Sequence, residues 1–147
     1  MSLESLVAKY NIDNTKTLNK VVKIVTPTLK LITKAQAILL TINPENITSV
    51  RNFHKEVASY KSTLCEWHKK LEALVKNKRG AYYMMLRNKA VAEETKFVSA
   101  PAEVEASLAV ADERKIRDRL LGSLNSASEI VITCRNILNN ADQQGTD

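Results

Sequence analysis

The residues best suited to chemistry lie together in the middle of the chain, in the run Val-Lys-Asn-Lys-Arg-Gly-Ala-Tyr-Tyr from Val75 to Tyr83, followed by Arg87 and Lys89. Cations meet phosphates, and aromatic rings give unpaired bases a face to stack on. Together they are what sequence-tolerant binding of single-stranded nucleic acid requires. The candidate binding residues are therefore Lys76, Lys78, Arg79, Tyr82, Tyr83, Arg87 and Lys89. Tyr82 and Tyr83 point about 100° apart on a helix, so at most one of them lies in a packed seam. Trp67 falls on an apolar stripe and is expected in the core.

The charge of the chain is concentrated in the same place. Residues 69–89 hold seven cations (Lys69, Lys70, Lys76, Lys78, Arg79, Arg87, Lys89) against Glu72, a net of +6 that equals the charge of the whole chain. A basic segment on a balanced body points to a polyanionic partner.

Other chemistries lack their residues. Cys65-Glu66-Trp67-His68 offers two metal ligands with no second pair, and a structural zinc needs four. No Glu-x-x-His pair exists for a di-iron bundle. His54 and His68 read as solvated surface residues. There is no glycine-rich phosphate loop and no serine in a tight glycine-flanked turn. Neither a metal, a cofactor nor an enzymatic activity is expected. The N-terminus lacks the basic and apolar regions of a signal peptide, and no stretch approaches the ~18 apolar residues of a membrane span. The expectation is a cytoplasmic protein without membrane contact, its two cysteines, Cys65 and Cys134, reduced.

The elements that carry the basic run read as helices. The 147 residues include only 3 Gly and 3 Pro, too few for the turns of a β-rich fold, and 44% are apolar. Ser2–Lys9 reads as a short helix, and Asp13 or Asn14 caps the next one. That helix places Leu18, Val21, Val22, Val25, Leu29, Ile32, Gln36 and Leu39 on one face, with a kink or break expected near Thr26 because Pro27 lacks a donor. Asn43-Pro44 marks a new start, Asn as cap and Pro at the first helical position. The seam that follows, Val50, Phe53, Val57, Tyr60, Leu64, Trp67, Leu71 and Leu74, alternates spacings of three and four. This is a heptad pattern that follows a partner helix. From Glu45 to Glu94 such a helix would run ~75 Å, with Gly80 interrupting it at a cost of ~1 kcal/mol. Beyond Leu74 the seam continues through Lys78, where an unpaired buried ammonium would be unfavourable. That end of the helix is expected to be open to a ligand.

Thr95–Pro101 reads as a loop and Pro101 as the start of a last helix, with Glu103 and Glu105 suiting its dipole. Its seam of Leu120, Leu124, Ala127, Val131, Cys134 and Leu138 is the expected oligomerisation surface. The expected fold is all-α: an N-terminal helical segment over 1–43, a long helical hairpin of coiled-coil character over 44–140, and a disordered tail over 141–147. Two seams in one small chain exceed what a single hairpin buries, so a homo-oligomer is expected.

The basic run ending in Arg79 and, after two intervening residues, Tyr82-Tyr83, followed about thirty residues later by Ala111-Asp112, resembles the phage recombination mediators of the UvsY type over roughly residues 50–140. The chain departs from their pattern at Asn77, where they tend to carry Lys, and at Met84-Met85-Leu86, which continues a helix where they break. The resemblance implies a homo-oligomer, in the host cytoplasm if phage-encoded, that binds single-stranded DNA, weakens the hold of the single-strand-binding protein and loads a RecA-like recombinase. It implies a DNA contact for Arg79, Lys78 or Lys76 covering the role left open by Asn77, and oligomerisation through the C-terminal helix. Two alternatives stand beside it, both acting purely through protein–protein contacts: a coiled-coil scaffold or adaptor, and a small phage inhibitor. The acidic cluster Glu93, Glu94, Glu103, Glu105, Asp112 and Glu113 favours the first, since it suits the basic segment of a neighbouring copy.

Overall fold

A computed structural model describes residues 15–145. The described residues form four helices and no strand: α1 Thr15–Leu39, α2 Ile47–Ala92, α3 Ser99–Leu108 and α4 Ala111–Gln144. The fold is all-α. The expected helix at Ser2–Lys9 and the caps at Asp13 or Asn14 lie outside the described residues.

α1 runs through Pro27 as one helix, so of the kink or break expected near Thr26 the break is absent. Proline removes one bond of the ladder, to the Lys23 carbonyl; Thr26 Oγ1 donates to the neighbouring Val22 carbonyl at 2.7 Å. Its buried residues are Leu18, Val21, Val25, Leu29, Ile32 and Ala35. Spacing slips from four to three after Ile32, so Ala35 is buried and Gln36 is exposed.

The start of α2 is three residues later than Asn43-Pro44 suggested. Asn43 Oδ1 accepts from the Glu45 amide at 3.0 Å, closing a turn, and Asn46 Oδ1 accepts from the Ser49 amide at 3.1 Å. Asn46 is thus the N-cap. The helix passes Gly80 unbroken and ends in a Schellman arrangement: Thr95 N donates to the Ala90 carbonyl, Glu94 N to that of Val91, and Glu94 sits at φ 52°.

The expected single C-terminal helix is two. α3 starts after Val98 without a side-chain cap and ends at Ala109, whose amide reaches the Glu105 carbonyl. Val110 in the joint is fully buried, and Arg114 Nη2 donates to the Ser107 carbonyl at 3.1 Å. α4 then opens with Asp112 and Glu113 in its first turn, which favours the start. Pro101 falls inside α3 rather than opening it. The tail expected from 141 is helical through Gln144. Ile137, Asn140, Ala141 and Gln144 line an open hollow with Pro44, Glu45 and Ile47. Residues 146 and 147 lie outside the described residues.

Among the described residues, packing divides the chain into two compact units. One comprises Lys69–Asp118 with the part of α1 up to Val21; the other comprises Val22–His68 and the described residues from Arg119 onward. The second unit buries Val25, Leu29 and Ile32 of α1, Val50, Phe53, Val57 and Leu64 of α2, and Leu120, Ala127, Ile130, Val131 and Cys134 of α4. Burial of both Ile130 and Val131 makes the α4 face wider than a strict heptad seam, as a three-helix core requires. Cys65 and Cys134 are free thiols, and burial pushes the Cys134 thiol above its ordinary pKa. His54, read as a solvated residue, is half-buried, and its Nε2 is enclosed without a hydrogen-bond partner among the described residues.

Candidate nucleic-acid interface

The α2 seam does not stop at Leu74. Leu71, Val75 and Met85 are buried, and Lys78 takes the seam position between them. Its ammonium is not left alone: it donates to Glu113 Oε1 of α4, with side chains 13% and 3% exposed. A buried ion with a hydrogen-bonded counter-ion is tolerable where a lone one is not. The seam therefore continues as an ion pair, and Lys78 points inward rather than to a ligand. Local sequence held no sign of this, because the partner lies 35 residues away.

A second stripe runs along α2 beside the seam. Lys69, Glu72, Lys76, Arg79 and Tyr83 follow one another at spacings of three and four, so they lie on one face. They line an open groove of about 920 Å³, together with Gly80 of α2, Glu103 and Ala106 of α3 and Arg117 of α4. Lys69, Lys76 and Arg79 are exposed, and no ion pair engages them among the described residues. Arg117 binds its neighbour Asp118 at 2.7 Å. Four cations thus face two carboxylates, with a phenol ring at one end. A Cβ built at Gly80 meets nothing within 4 Å, so the groove floor is open there.

The two tyrosines have separate roles. Tyr82 packs with Ala81 and Leu86 on the buried Met85. Tyr83 is half-buried, lines the groove, and is held edge-on by Phe97 at 5.6 Å between centroids and 88° between planes. Such edge contacts fix a ring while leaving one face available.

Of the seven expected binding residues, the groove gathers Lys76, Arg79 and Tyr83. Lys78 is paired inward, Tyr82 is half-buried against Met85, and Arg87 and Lys89 are exposed but do not line the groove. The sequence reading missed Lys69 as a member of the stripe and Arg117 as a contribution from α4. The stripe was visible in the spacing of Lys69, Lys76, Arg79 and Tyr83; Arg117 carried no local signal.

The expected oligomerisation residues are used inside the chain. Leu120, Ala127, Val131 and Cys134 are buried, and Leu124 and Leu138 half-buried. They serve the three-helix core and do not form an exposed seam. Among the described residues no group of three or more His, Cys, Asp or Glu side chains is placed to hold a metal ion, and no helix is long and apolar enough to cross a membrane. Compared with protein-family models, curated proteins and solved structures, the chain matches none.

Proposed function

We propose that the groove along α2 binds single-stranded nucleic acid and that the protein acts by binding and assembly rather than by catalysis. The observation that carries this reading is the convergence of Lys76, Arg79 and Tyr83 on one stripe: two unpaired cations and a ring within three turns of helix. Phosphates along a strand would follow the cations, and a base would stack on Tyr83. The specific form of the reading, that of a mediator loading a RecA-like recombinase onto single-stranded DNA covered by single-strand-binding protein, rests on the resemblance of the basic-tyrosine run and Ala111-Asp112.

Fluorescence anisotropy with a labelled oligothymidine tests it. Binding at low salt that weakens steeply as salt rises is expected; absence of binding at low salt overturns the reading.

A second reading has its own observation. Glu72 and Glu103 line the groove and Glu113 already holds Lys78, so carboxylates answer these cations within the chain. An adaptor for an acidic protein segment would use the same surface. A polyglutamate competitor that displaces the oligonucleotide at equal charge concentration, with no contribution from Tyr83, would favour the adaptor.

A further inference from the structure

Among the described residues, α1 and α3 each carry an exposed apolar stripe, and the two complement one another in charge. The first is on α1. Its sequence holds Lys16, Lys20, Lys23, Lys30 and Lys34 and no acid. Ile24, Leu31 and Ile38 recur every seven residues and are 42%, 37% and 46% exposed. Lys34 lies one turn from both Leu31 and Ile38, and Lys23 and Lys30 are exposed on the same side. None of Lys23, Lys30 and Lys34 has an ion-pair partner among the described residues.

The second is on α3, which turns Ala102 and Ala106 inward and its larger residues outward. Ala102 and Ala106 are buried, whereas Val104 and Leu108 are 60% and 67% exposed. With exposed Pro101 they make a stripe of spacing three and four. Glu105 lies one turn from both Pro101 and Leu108, and the helix carries Glu103 and Glu105 with no base.

We propose that the outer face of α3 docks on the outer face of α1 of a second copy, with Val104 and Leu108 against Leu31 and Ile38 and Glu105 opposite Lys34. The α1 stripe is one residue wide and flanked by Lys23, Lys30 and Lys34, so charge complementarity with the acidic α3 face selects the partner; a lipid surface takes a broad apolar face. Each copy presents one surface of each kind, so the contact is head-to-tail and repeats until a ring closes or a chain extends. This assigns self-association to residues other than the α4 seam, and it stands independently of the nucleic-acid reading.

Sedimentation of the full chain tests it. Wild type should exceed its 16.4 kDa monomer mass at micromolar concentration. A basic-face variant, Leu31→Asp/Lys34→Glu, and an acidic-face variant, Glu105→Lys/Leu108→Asp, should each remain monomeric with unchanged helicity by circular dichroism. Mixed at equal concentration, each still offers the surface the other has lost, so the mixture should form dimers and nothing larger. The milder Leu108→Ser should weaken assembly about tenfold, equivalent to about 1.4 kcal/mol. A wild type that stays monomeric, an assembly indifferent to both variants, or a mixture that does not pair overturns the proposal. Binding to phosphatidylserine vesicles lost in Leu31→Asp/Lys34→Glu but kept in Glu105→Lys/Leu108→Asp would reassign the α1 face to lipid.

Discussion

Lys78 shows how one side chain changes role between sequence and fold. As a cation beside Arg79 it belongs with the binding residues; on the helix it occupies a seam position and faces Glu113, only 2% of which is exposed. Removing one partner strands the other. Lys78→Ala should cost about 3 kcal/mol in a urea unfolding experiment, because an uncompensated buried carboxylate is expensive. The double change Lys78→Met/Glu113→Leu should recover most of that loss, since apolar residues of similar volume commonly replace a buried pair without penalty. A single change below about 0.5 kcal/mol, the scale of an exposed pair, would show that the contact is solvated. The lesson for reading the sequence is specific. Spacing places Lys78 on the seam, but the decision between an open end and a continued core belongs to a residue on another helix.

At the scale of the element, legibility followed the strength of the local signal. The apolar residues of α2 alternate at three and four over many turns, and the helix was readable almost to its ends. The joint between α3 and α4 was not. Ala109-Val110-Ala111 contains neither Gly nor Pro, and its propensity favours helix. The break is set by burial of Val110 and by the Arg114 bond to the Ser107 carbonyl; the acids at 112 and 113 were the one available hint. The end of α2 carries a local conflict instead. Glu94 holds the left-handed position at φ 52°, where a side chain costs about 1 kcal/mol relative to glycine. Glu94→Gly should therefore raise the unfolding free energy by about 1 kcal/mol in thermal or urea melts. An unchanged or lowered stability would mean that the Glu94 side chain contributes contacts that offset the backbone strain.

For the molecule as a whole, net charge is +6, and the groove holds four cations against two carboxylates. Salt dependence separates charge from stacking there. Counterion release from a single strand gives a slope of about −0.7 per phosphate contacted in log K against log salt. With Lys69, Lys76 and Arg79 each at a phosphate, one chain should show a slope of about −2. Lys76→Ala/Arg79→Ala should flatten it by about 1.4 units, leaving the helices intact because both side chains are exposed. Lys78→Met, made with Glu113→Leu to keep the fold, should leave the slope nearly unchanged, since that ammonium is already neutralised. Tyr83→Ala should lower affinity by about 1–3 kcal/mol with little change in slope, because stacking releases no counterions. Tyr82→Ala should do the reverse, destabilising the packing around Met85 with no direct effect on binding at temperatures where the fold persists. A slope that falls as much for Lys78→Met/Glu113→Leu as for Lys76→Ala/Arg79→Ala would mean that the Lys78 pair opens to the ligand, and the groove would then have to be redrawn along the seam itself.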